Sequence, residues 1–140
     1  MIEKTLVLIK PEIGLSGKTG KIISRYEEKG FKILALKMVQ MDIPLASRFY
    51  EVHKEKEFYM PLVEYMITAP VTAMILEKEN AVTEIRKLNG KTDPAKAEEG
   101  TIRHDYGETL RRNAVHSSDC PDSFKREAGI IFPELQGTLY

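Results

Sequence analysis

Residues 9–21 read IKPEIGLSGKTGK. The apolar run TLVLI (5–9) leads into them with the composition of a buried strand, and KIISRYEEKGF (21–31) follows with helical spacing. A glycine-rich turn ending in Gly17-Lys18-Thr19 between strand and helix is where a phosphate-binding loop would sit. The spacing excludes that loop. It needs four residues between its two glycines, enough main chain to curl N–H groups around a phosphate chain. Counting back from Gly17, the first glycine would have to stand where Glu12 is, and Gly14 leaves only Leu15 and Ser16 in between. The segment is read as a polar turn before a helix, with Ser16, Lys18 and Thr19 structural. Phosphate, if the chain handles it, must be gripped elsewhere.

Working outward, KTLVLI reads as a central strand, and KTGKIISRYEEKG as a helix with Ile22, Ile23 and Tyr26 near one face, stopped by Gly30. FKILALKMVQM carries apolar residues on both parities, which predicts a mostly buried second strand. PLASRFYEVHKE and YMPLVEYMITA have helical patterns, with Pro61 in a first turn. PVTAMILE is a third strand, and NAVTEIRKLNG a helix closed by Gly90. Residues 91–100, KTDPAKAEEG, form a polar loop without apolar periodicity, of a kind more often functional or contact-forming than inert. A fourth strand and a helix over PDSFKREAGIIF complete one domain, 1–140. The order predicts an α+β fold, an α/β sandwich: a ferredoxin-like split βαβ antiparallel four-stranded sheet covered by helices.

The 21 lysines and arginines equal the 21 aspartates and glutamates, so no global field draws the chain to nucleic acid or an anionic membrane. Strong nucleic-acid binding is not expected, and an anion site must be a local cluster of cations. No apolar stretch is long enough to span a membrane, and MIEKTLVLIKPE lacks the pattern of a signal peptide. The single cysteine, Cys120, rules out an intrachain disulfide and fits a cytoplasmic location.

The densest polar stretch is RRNAVHSSDC (111–120). His116 follows the β-like NAV and precedes a helix whose start is marked by Ser118, Asp119 and Pro121. On a regular strand Asn113 and His116 would face opposite sides. His53 and His104 lack metal-ligand spacing and read as surface residues.

NAVHSSD resembles the active-site signature of nucleoside diphosphate kinases, N-x-x-H-small-S-D. The likeness extends through LVLIKPE, FYEVHKEKEFY, APVTAMILE, IRKLNGKTDP and GTIR to Glu127, in the family's order and near its spacing. The resemblance implies transfer of the terminal phosphate of a nucleoside triphosphate such as ATP to a nucleoside diphosphate, by ping-pong through a phosphohistidine at His116. A histidine phosphoramidate keeps a high transfer potential, and donor and acceptor are chemically alike, so one site serves both half-reactions. It further implies Glu127 as partner of the histidine and Tyr50 as support for His116 and Lys10. Lys10, Arg86, Arg103 and Thr92 would hold phosphate, Lys10 and Asn113 the ribose, and Phe58 the base. Mg2+ would bridge the nucleotide's phosphates without a dedicated protein metal site. The family forms homo-oligomers, tetramers or hexamers, and loop 91–100 would supply a subunit contact. One departure stands out: the family usually has glycine or alanine after the histidine, and here Ser117 adds a hydroxyl and restricts φ. The alternative is a catalytically weakened relative acting as a nucleotide- or nucleic-acid-binding scaffold.

Overall fold

A computed structural model describes residues 1–140 and contains one antiparallel sheet in the order β2-β3-β1-β4. The strands are β1 (Ile2–Ile9), β2 (Lys32–Val39), β3 (Val71–Glu79) and β4 (Val115–Ser117). β3 lies between β1 and β2, the split arrangement that the element order predicts. The helices are α1 (Pro11–Leu15), α2 (Thr19–Glu28), α3 (Ile43–Phe49), α4 (Tyr59–Met66), α5 (Ala81–Asn89), α6 (Ile102–Tyr106) and α7 (Pro121–Ile131).

Strand alternation sorts the side chains into two apolar layers. Leu6, Leu8, Ala73 and Ile75 meet Phe49 of α3, Val63 of α4 and Ala128 of α7 on one face. Val7, Ile9, Met74 and Leu76 meet Tyr26 of α2, Ile85 of α5 and Ile102 of α6 on the other. Each large apolar side chain so buried contributes about 1.5–3 kcal/mol. Helices of 5 to 11 residues are too short to persist alone, so this two-sided burial holds them. Where residues 10–18 read as a turn, Pro11 instead starts the short helix α1, and the polar turn is confined to Ser16–Lys18 with Gly17 at φ 74°.

β2 departs from the reading of a mostly buried strand. It is an edge strand, with Leu36 51% and Met38 64% exposed. Its register jumps from Ile33↔Leu76 to Ala35↔Ile75, leaving Leu34 as an extra residue. That bulge switches the parity: Ile33 packs with one layer, while Leu34, Ala35 and Val39 pack with the other. Apolar residues on both parities thus reflect a bulge and an open edge.

Local caps fix the elements that carry the cavity. Asp42 Oδ1 accepts from the Leu45 N–H at 2.9 Å to start α3. Cys120 and Ser123 cap α7 reciprocally, with Pro121 in its first turn. Gly90 ends α5 at φ 86°, and a Cβ there would stand 2.6 Å from Thr101 Oγ1, the residue that caps α6. Only glycine lets these two helix ends meet.

Candidate functional site

The geometry begins with a kink in front of β4. Ala114 has φ 76°, a left-handed conformation that costs a non-glycine residue on the order of 1–2 kcal/mol. Two bonds hold it there. Its carbonyl accepts from the Lys10 N–H at 2.8 Å, and its N–H donates to Glu12 Oε2 at 2.9 Å. Burial pushes the Glu12 carboxyl up, and the Ala114 N–H and Lys10 offset this only in part. The kink corrects the expectation that Asn113 and His116 face opposite ways: Asn113 lies outside the strand, and both residues line one cavity.

His116 sits edge-on to the rings of Phe49 (5.1 Å) and Tyr50 (6.3 Å). Its Nε2 lies 2.8 Å from Glu127 Oε1, which also accepts from the Ser118 hydroxyl at 2.9 Å. α7 turns Glu127 back under β4, where it is only 5% exposed. Burial alone would raise this carboxyl, but the His116 bond and charge, the Ser118 hydroxyl and Arg126 outweigh it and hold it below the usual range. A carboxylate at Nε2 holds the ring proton on that nitrogen and leaves the Nδ1 lone pair for reaction.

The cavity has a volume of about 1000 Å³. Of the site residues expected from sequence, Lys10, Tyr50, Phe58, Arg86, Thr92, Arg103, Asn113 and His116 line it, and Glu127 stands behind His116. Lys10, Arg86, Lys87, Lys91, Arg103 and Arg111 face Glu98 and Asp119, which concentrates positive charge in a chain of zero formal net charge. Lys10 is 7% exposed and its Nζ donates to the Arg111 carbonyl at 3.2 Å. Burial lowers its amine to about 8: Glu12 pulls the other way, and Arg103 and Arg111 add smaller lowering contributions. Arg103 braces α5 against β4 by donating to the Gly90 carbonyl (2.9 Å) and the Val115 carbonyl (2.8 Å), and its buried Nε has no partner. Burial lowers its pKa. The Tyr50 hydroxyl and Asn113 Oδ1 are likewise buried without partners. All three belong to residues that line the cavity, and buried polar groups without partners beside a polar cavity mark a functional site.

Phe58, 43% exposed, stands at the rim, with the His53 ring 5.3 Å from it. His53 is therefore half-buried cavity lining, where the sequence reading made it a surface residue. His104 is exposed, as read. Loop 91–100 is pinned by buried Pro94 and Ala97 and by the Asn113 side chain, which donates to the Thr92 carbonyl at 3.0 Å. Asn89, Arg111 and Asp119 also line the cavity and carry no sequence signal beyond helix-end and loop polarity.

Ser117 follows His116 in β4 with no left-handed φ, so its backbone has no need of glycine. The Ser118 N–H donates to the Leu6 carbonyl, so by antiparallel alternation the main-chain N–H of Ser117 points off the open edge of β4. The cavity wraps around that edge, which is why neighbouring residues on opposite faces both reach it.

A family model described as nucleoside diphosphate kinase matches residues 3–136. The chain is 47% identical over 131 residues to the nucleoside diphosphate kinase of Kosmotoga olearia, covering 94% of this chain and 89% of that one. It is 45% identical over 134 residues to that of Methanocaldococcus jannaschii, covering 96% of each. Its structure is similar to a crystal form of the Aquifex aeolicus nucleoside diphosphate kinase, with a TM-score of 0.92 and 39% identity over 94% of this chain and 96% of that one. The Encephalitozoon cuniculi enzyme superposes with a TM-score of 0.90 at 35% identity, over 93% and 88% of the two chains.

Proposed function

Because the chain belongs to the nucleoside diphosphate kinase family, and so is an enzyme that moves phosphate between nucleotides, we propose that it works by ping-pong through a phosphohistidine at His116. The observation that carries this reading is the 2.8 Å contact of His116 Nε2 with a carboxylate that also accepts from Ser118, on a ring whose edge opens into the cationic cavity. The Nδ1 lone pair attacks the γ-phosphorus in line. The P–O bond to the β-phosphate breaks, and the diphosphate leaves with the electron pair. The ring proton stays on Nε2, where Glu127 stabilises the charge that develops. A second diphosphate then attacks the phosphorus and the P–N bond breaks, returning neutral His116.

The remaining roles are positional. Arg86, Arg103 and Lys10 neutralise phosphate oxygens with help from the Thr92 hydroxyl. Lys10 and Asn113 hold the sugar, and the Tyr50 hydroxyl supports the His116 and Lys10 neighbourhood. Phe58 at the rim stacks on the base, an interaction tolerant of base identity. Mg2+ would arrive with the nucleotide and help neutralise its phosphates, alongside Lys10, Arg86 and Arg103. The enzyme works as a homo-oligomer in the cytoplasm, with loop 91–100 at a subunit contact. Within the chain, no helix is long and apolar enough to cross a membrane.

Initial-rate kinetics test the reading. Varying ATP at several fixed GDP concentrations should give parallel double-reciprocal lines. Intersecting lines would mean direct transfer in a ternary complex and would overturn the phosphohistidine route. Binding of ATP without any turnover would favour the scaffold alternative.

A further inference from the structure

A polar chain runs from the apolar layer beneath α2 to the edge of the cavity. The Tyr26 hydroxyl donates to Asn89 Oδ1 at 2.7 Å, and Asn89 Nδ2 donates to Ser117 Oγ at 3.2 Å. Tyr26 is 0% exposed and Asn89 1%, so an unpaired proton at either residue is strongly disfavoured. Burial also pushes the Tyr26 phenol well up, which keeps its proton in place.

The polarity of the chain is fixed from its buried end. Asn89 is the only hydrogen-bond partner of the Tyr26 hydroxyl, and of the two amide heads only Oδ1 can accept its proton. Asn89 must therefore turn its nitrogen toward Ser117. The opposite amide orientation would set a donor against the phenol and leave the phenol proton with no acceptor. Ser117 Oγ thus accepts from Asn89 and does not donate back into the core. Its own proton is left for the cavity, which Ser117 lines together with His116, Gly90 and Arg103.

We propose that the Ser117 hydroxyl is a catalytic hydrogen-bond donor to an oxygen of the phosphoryl group being transferred to and from His116, and that Asn89 and Tyr26 are positioning residues that set the direction in which it donates. This rests on the phosphohistidine reading above. The proton stays on Oγ throughout, and the bond strengthens as negative charge gathers on the phosphoryl oxygens. The glycine or alanine usual in the family at this place has no hydroxyl, so the donor is an addition in this chain. It turns the one departure from the family signature into part of the machinery. The same two bonds account for a polar asparagine in a nearly sealed position at the end of α5.

The test is single-turnover phosphoenzyme formation with γ-labelled ATP and Mg2+, which separates the rate at saturation from the nucleotide concentration that half-saturates it. Ser117→Ala and Ser117→Gly should both lower the saturating rate about tenfold, the loss of one hydrogen bond to a charged group, and leave half-saturation within about twofold. Ser117→Thr, which keeps a hydroxyl, should restore most of the rate. Tyr26→Phe removes the phenol that sets the amide, and should slow the wild type by about two- to threefold but leave the Ser117→Ala background unchanged. A Ser117→Ala enzyme as fast as wild type, or a threonine variant as slow as alanine, overturns the donor role. Equal effects of Tyr26→Phe in both backgrounds overturn the relay. If wild type itself takes no label on His116, the underlying phosphohistidine reading fails, and that outcome is distinct from either of these.

Discussion

Lys10 shows how the site trades stability for charge, and Lys10→Met should expose the exchange. At pH 7 the folded chain keeps a proton on an amine whose pKa has fallen from 10.5 to about 8, because burial at 7% exposure outweighs the pull of Glu12, with Arg103 and Arg111 adding to the fall. That costs about 3 kcal/mol relative to the unfolded chain. Methionine fills a similar volume without charge, but loses the bond from Nζ to the Arg111 carbonyl, worth about 1 kcal/mol. The net expectation is a gain of about 2 kcal/mol at pH 7, which for a chain of this size raises the melting temperature by roughly 6–8 °C. The sign with pH follows from linkage. Between about 8 and 10.5 the unfolded chain holds the proton and the folded chain has released it, so wild-type stability rises with pH relative to the variant. The advantage of Lys10→Met is therefore full below pH 8, vanishes near about pH 10, and at pH 10.5 gives way to a small deficit from the lost bond. Phosphoryl transfer should fall by at least about a hundredfold at the same time, because the charge that destabilises the fold is the charge that meets phosphate. Urea titrations of both proteins at pH 7 and 10.5 measure the difference. A variant less stable than wild type at pH 7 would refute the reasoning.

Other consequences follow from the same contacts. Glu127→Gln keeps the shape but no longer fixes the proton on His116 Nε2, so phosphoenzyme formation should slow about a hundredfold with nucleotide affinity unchanged, read by rapid quench and calorimetry. Because the folded-state pKa of Glu127 is depressed, its contribution to stability is present above the unfolded value and lost as pH falls through the folded one; acid titration of Glu127→Gln should show a shallower decline. Glu12→Ala orphans the buried Ala114 N–H and should cost about 2 kcal/mol in chemical denaturation, whereas Glu12→Gln, which still presents an oxygen, should cost less than about 1 kcal/mol.

The element order and the two-layer architecture were legible because strand and helix periods are written plainly in runs such as KTLVLI and PVTAMILE. β2 misled because a bulge and an exposed edge give the same mixed parity as two-sided burial, and a single strand read alone cannot tell them apart. The kink at Ala114 was invisible for a different reason. Nothing in an alanine predicts φ 76°; it is held by the Lys10 main chain and by Glu12, which lies 102 residues earlier in the chain. His53 and Asn89 were missed likewise, since their place in the cavity depends on which elements pack beside them. The expected site residues came from six sequence blocks taken together, because singly each has an ordinary structural explanation.

The most direct test of the account is incubation with γ-labelled ATP and Mg2+ followed by a GDP chase, for wild type and His116→Ala. Label should enter the wild type as an acid-labile, base-stable phosphate on Nδ1 of His116, leave as GTP in the chase, and be absent from the variant. Label on the variant, or a wild type that binds ATP and turns it over without ever becoming labelled, would contradict it.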